Sequence, residues 1–228
     1  MTDTLLVEDL MLLLLDDETG TPAGAGTLHY TLGGAVLVDL ALRGRIGTDG
    51  DDRRLNGPRV FVTGEGPLRD PLLQTVYDRI AERPQRVQPL LLAIGGGLRE
   101  PVIERLLERG LIRHEKRRVL GLFRMNALPA ADGRREAGLR ERIGAALEDG
   151  EDPDARTAAL IALLSASGAL PAVRPALPRS RTALARAKDF EKGNWGAEAV
   201  STAVTRTAAA IAAAGAAAAA AVTVTTTS

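Results

Sequence analysis

The sequence has no cysteine, two histidines, one Trp, two Tyr and three Phe in 228 residues. Without cysteine there is no disulfide, no thiolate nucleophile and no Cys-ligated zinc or iron–sulfur centre. His29 and His114 alone exclude a His-rich metal cage and leave a Ser–His–acid triad only two candidate bases. Aromatics at 3% supply too few rings for a base-stacking platform. Lysine is scarce as well, at 116, 188 and 192 only, so nearly all positive charge is Arg. With the heavy use of Ala, this is the compositional bias of a GC-rich, bacterial genome. Net charge is absent, with 29 bases against 29 acids, which excludes an all-over basic coat. The opening apolar run, Leu10–Leu15, is too short to span a bilayer. No basic start precedes it, since residues 1–20 hold Asp3, Glu8, Asp9, Asp16, Asp17, Glu18 and no base. That is not a secretory pattern, and a cytoplasmic protein is expected.

Catalytic motifs are lacking. There is no G-x-S-x-G elbow, no G-x-x-x-x-G-K-[ST] phosphate loop and no H-E-x-x-H. Gly24-Ala25-Gly26 lacks the third spaced glycine of a dinucleotide loop. The acidic clusters at 16–18, 49–52 and 148–154 miss the calcium-loop spacing. The expectation is no enzyme, no catalytic residue, no cofactor and no metal.

What is present is helical periodicity. A chain of this length makes one large domain or two small ones. A first helix is expected from Leu5 to Asp16, with Thr4 as N-cap and Glu8 and Asp9 at the positive end of the dipole. It is apolar almost all round, which marks a central, buried helix. After a glycine-bearing loop, a second apolar helix reads Gly33–Arg43, with Gly44 as stop. The stretch 45–63 alternates about "GTDGDD" and reads as a short β element. Asp70-Pro71 opens a third helix with the stripe Leu72, Leu73, Val76, Tyr77 and Ile80. "PLLLAIGGG" is a short apolar segment, followed by a helix over 98–109. A β-hairpin follows at 111–123, then helices at 133–148, 153–167 (Asp152 as cap), 180–192 and from about 196. Twelve of the fourteen residues 208–221 are Ala, and no charge occurs from Thr207 to Ser228. The best helix former makes this a packed or frayed terminal helix rather than a membrane span. The expected fold is mainly α: a single helical domain over 1–210 around a central bundle, with a basic β-hairpin, a second short β element and an Ala/Thr-rich tail over 211–228.

The stretch 98–124 is the most informative. It holds Arg99, Arg105, Arg109, Arg113, Lys116, Arg117, Arg118 and Arg124 against Glu100, Glu104, Glu108 and Glu115. Part of this reads as i,i+4 pairing along a helix. The hairpin differs. Its expected tip "HEKRR" is basic, and Val119, Leu120, Leu122 and Phe123 follow directly. Bases beside apolar side chains suit a peripheral membrane binder; equally, those four apolar residues alternate as a core-facing strand does. The same stretch also has the helix, stop and basic wing of a winged-helix nucleic-acid module, although "PLLLAIGGG" supplies no convincing partner helix. A third reading is a protein-interaction scaffold, with the glycine-rich 20–34 and 95–97 segments as a shared cleft.

The blocks "TLLVEDLMLLLLDDETG" (4–20), "GGAVLVDLALRGRI" (33–46), "ERLLERGLI" (104–112), "LGLFRM" (120–125) and "DGEDPDARTAALIALLSASGAL" (149–170), in this order and spacing, resemble the Golgi phosphoprotein 3 family over about residues 1–210. The resemblance implies a mainly helical, non-enzymatic peripheral membrane protein that binds phosphatidylinositol 4-phosphate and the tails of membrane proteins. It implies a lipid pocket of one Trp and three Arg. The corresponding places here are the loop 20–32, whose only rings are His29 and Tyr30, then Gly33, Gly96 and Arg99. One of the four matches. Arg99, after three glycines at a helix start, remains a candidate anion holder together with backbone N–H groups. The family hairpin that touches membrane and neighbouring subunits corresponds to about 112–124.

The resulting expectation is a peripheral binder of anionic, phosphoinositide-type headgroups. Arg99, His29 and Tyr30 form its anion site. Lys116, Arg117, Arg118, Val119, Leu120, Leu122 and Phe123 form its membrane-contact hairpin, with homo-oligomer formation through that hairpin and protein tails as further partners. Nucleic acid is the lesser alternative.

Overall fold

Leu6–Leu14 form α1, and every one of its nine residues is buried, Glu8 and Asp9 included. A helix apolar on all sides has no face to give to water, so other elements must close around it. In the computed structural model, which describes residues 4–49, 56–119, 123–131, 133–193 and 202–225 (of 116–119, 123–126, 202–205 and 221–225 the backbone alone), they do. Helices α2 (Leu28–Leu42), α5 (Arg99–Glu108), α6 (Arg134–Gly144) and α7 (Ala155–Ala166) surround α1. Each fully buried leucine of α1 contributes about 1.5–3 kcal/mol. The expected cap at Thr4 moves one residue on. Leu5 is the N-cap, and its N–H is taken by the Glu8 carboxylate at 2.6 Å.

The second helix starts five residues before the expected Gly33, after a 3₁₀ turn at Ala25–Thr27. His29 and Tyr30 therefore sit in its first turn and not on a loop. Thr31 Oγ1 donates back to the Thr27 carbonyl, so the early start carries its own polar satisfaction. Residues 25–42 are long and apolar enough to cross a membrane (mean hydropathy 1.2), but 67% of that window is buried in the protein, as befits a core helix.

The sheet β1 (Ile46–Thr48), β2 (Arg59–Val62) and β3 (Gln85–Arg86) is antiparallel in that order, with Ile46 opposite Val62 and Val60 opposite Gln85. The third strand has no period-2 signature of its own, and β2 recruits it. Helix α3 (Pro71–Glu82) begins as read, with Asp70 accepting from Leu72 N and Pro71 in the first turn. "PLLLAIG" belongs to a helix, α4 (Val87–Gly95), whose register buries Leu90, Leu91 and Ile94, and α4 packs on α2. The cap of α7 is Asp154 and not Asp152, while α8 (Arg181–Glu191) is capped by Ser180.

The last helix, α9 (Thr202–Thr225), runs through the expected domain boundary at 210/211. Ile211, Ala212, Ala214, Ala218 and Ala219 are buried, and α9 packs on α2, α4 and α7. The segment before β2 also approaches α9 closely: a Cβ on Gly57 would lie 3.2 Å from the Ala214 methyl.

Candidate functional site

The charged groups of the core come first, because they decide which arginines remain for a ligand. Glu8 is fully buried on α1 and accepts from Arg105 Nε at 3.0 Å and Arg109 Nε at 2.9 Å. Arg105 also reaches Asp70 at 2.5 Å. Asp9 takes Arg135 at 2.6 Å and Arg156 at 2.8 Å, and Arg156 donates to the Thr4 carbonyl at 2.6 Å. Asp39 accepts from the Leu6 N–H and from Arg43. A buried carboxylate is tolerable only with such partners. The arginines of α5 thus reach across to α1 and Asp70, where i,i+4 pairing was expected. The outer side of α5 carries Arg99, Glu100, Glu104 and Glu108, all exposed. Three glutamates on that surface repel phosphate, while α4 is the partner helix that seemed missing for a winged-helix module.

The expected anion site is built at the crossing of α2 and α4. It is a closed contact. A Cβ on Gly33 would stand 2.8 Å from the Leu91 carbonyl oxygen, and one on Gly95 would stand 1.8 Å from that of His29. The two helices meet through glycine backbone, and the expected shared cleft between 20–34 and 95–97 is absent among these residues. Three of the four places of the implied lipid pocket lack the implied residue, and at Gly33 no side chain fits. Gly96, Gly97 and Arg99 follow on the exposed α4–α5 junction. Arg99 lies 3.4 Å from the Glu100 carboxylate, and both are exposed. His29 is half-buried, and burial lowers its pKa from the usual 6.5. Its ring lies 4.2 Å from that of Tyr30. Tyr30 faces a small, mainly apolar groove with Thr31, Leu163, Ile211 and Gly215. The crossing therefore brings His29 beside the segment leading to Arg99 but turns Tyr30 toward α7 and α9.

The hairpin is the other half of the expected site. β4 (Glu115–Val119) and β5 (Phe123–Ala127) pair antiparallel, with Val119 opposite Phe123. Lys116, Arg117 and Arg118 accordingly lie within a strand and not at a tip; Leu120 and Leu122 lie outside the described residues. The base is well fixed. Ile112 bridges Ala130, Arg113 N donates to the Pro129 carbonyl, and the Ala130 N–H donates to Asp17 at 3.0 Å. Beyond that base, among the described residues, β4 and β5 pack on each other and not broadly on any helix. Arg99 and the hairpin base stand at opposite ends of α5, about 15 Å apart along its axis.

Next to this base, burial raises the Glu136 carboxyl above the usual 4.5; Arg140 opposes the rise and Asp17 adds to it. The native state then keeps a proton that the unfolded chain has lost. Stability therefore falls as pH climbs from about 4.5 through the raised folded value. In urea melts across that interval, Glu136→Gln flattens the fall; an identical slope in both proteins would assign it elsewhere.

Compared with known families, residues 6–207 match the family model described as Golgi phosphoprotein 3 (GPP34).

Proposed function

The chain belongs to the Golgi phosphoprotein 3 family, and from that premise we propose that it is a non-enzymatic, cytoplasmic protein that docks reversibly on anionic membranes through its β4–β5 ribbon. One observation carries this reading: among the described residues the ribbon packs broadly on no helix while bearing Lys116, Arg117, Arg118 and Arg124. Its acid, Glu115, is already engaged by Arg113 at 2.9 Å. Each base near an anionic bilayer contributes on the order of 1 kcal/mol. Arg99, set among Glu100, Glu104 and Glu108 at the far end of α5, is left out of this contact.

Headgroup selectivity follows from the α2–α4 crossing. Gly33 and Gly96 put no cation where the family pocket has Arg, and burial disfavours the charged form of His29. Docking then depends on surface charge density and not on the phosphoinositide ring. Co-sedimentation with phosphatidylglycerol vesicles tests the reading. Binding is expected at low salt, with loss at high salt and on phosphatidylcholine. Lys116→Glu/Arg117→Glu/Arg118→Glu should weaken it at least tenfold. Absence of binding at low salt, or indifference to the triple variant, sinks the proposal. At matched surface charge, vesicles with phosphatidylinositol 4-phosphate should bind no better; a preference of tenfold or more would mean that a headgroup pocket persists.

A further inference from the structure

The strand register sorts the ribbon's residues into two faces. Directly opposed residues share a face, and so do residues two apart on one strand. Glu115 opposes Ala127, Arg117 opposes Met125 and Val119 opposes Phe123, so these six lie on one face. Lys116 opposes Asn126 and Arg118 opposes Arg124, so these four lie on the other. Ala127 is fully buried, which identifies the first face as the one continuous with the body at the base; Leu128, also buried, lies past the last pair. The second face holds Lys116, Arg118 and Arg124 without an acid.

Resting on the membrane reading above, we propose that an anionic lipid surface is met by the Lys116/Arg118/Arg124 face, and that Arg117, Val119 and Phe123 belong to the other. Charge complementarity fixes the occupant. Arg118 stands directly opposite Arg124, and like charges in that relation destabilise a two-stranded ribbon. An array of anionic headgroups relieves the repulsion from the side that carries the bases. Arg124 thereby joins the contact residues, while Arg117, its neighbour in sequence to Arg118, leaves them.

Charge reversals of equal size separate the two faces. Full-length Arg118→Glu, Arg124→Glu and Arg117→Glu are compared with the parent on phosphatidylglycerol vesicles at low salt. Arg118→Glu and Arg124→Glu should each weaken binding tenfold or more, and Arg117→Glu less than threefold. Thermal melts followed by circular dichroism guard against unfolding. Arg118→Glu opposes Arg124 with an opposite charge, so its Tm should hold or rise while its binding falls. Equal losses for Arg117→Glu and Arg118→Glu would overturn the face assignment and leave membrane docking standing. Failure of the parent to bind would overturn both.

Discussion

Glu8→Ala is expected to lower the free energy of unfolding by about 3–5 kcal/mol. Glu8 is wholly buried, and its carboxylate does three jobs: it receives Arg105, receives Arg109 and accepts the Leu5 N–H that begins α1. Removing it takes a charged partner from two guanidiniums, each about three-quarters or more buried. Arg105 keeps Asp70; nothing comparable compensates the loss of the helix cap. Glu8→Gln separates the parts. It keeps an acceptor for Leu5 but not the charge, and should recover only the smaller share, about 1 kcal/mol. Domains of this kind hold about 5–15 kcal/mol in all, so the alanine variant should show a large drop in urea midpoint. A loss below 1 kcal/mol would mean that the network is incidental to the fold.

Gly95→Ala should be as damaging for a different reason. The added methyl would lie 1.8 Å from the His29 carbonyl oxygen, and the obstruction is helix backbone, which cannot rotate away. Either α4 shifts from α2 or the crossing opens, and Leu90, Leu91 and Ile94 lose packing together. A cost of about 3 kcal/mol or more follows. Gly97→Ala is the internal control, because a Cβ there meets nothing within 4 Å. Its chain-entropy effect is neutral to slightly stabilising. Equal Tm values for the two alanine variants would refute the close crossing. The pair also bears on function: if Gly95→Ala loosens the crossing without unfolding the chain, vesicle binding should survive, since the ribbon lies at the far end of α5.

Much of the helical framework was legible because its signals are local. Asp70-Pro71 caps α3 as a short-range rule demands, and Gly44, Gly110 and Gly168 end helices with positive φ. The all-round apolar Leu6–Leu14 announced a central helix. That same run held an unread warning. Two acids inside a helix with no exposed side need cations brought from elsewhere, and the dipole alone could not satisfy Glu8 and Asp9. The need was visible; the partners were not. Arg105 lies 97 residues from Glu8 and Arg156 lies 147 from Asp9, and no periodicity spans such distances. The basic excess of 98–124 therefore overstated the free charge, because Arg105 and Arg109 serve the core.

By itself, the sequence determined the lack of cysteine chemistry, the mainly helical class, most of the helices and the basic hairpin, since composition and short-range periodicity are properties of neighbouring residues. Only the tertiary structure decided that His29 and Tyr30 begin a helix, that Gly33 and Gly95 close the crossing where a pocket was expected, and that Arg118 and Arg124 share a face from which Arg117 is excluded. Each of those depends on distance and register between segments remote in the chain, where a shift of one residue moves every side chain to the opposite face.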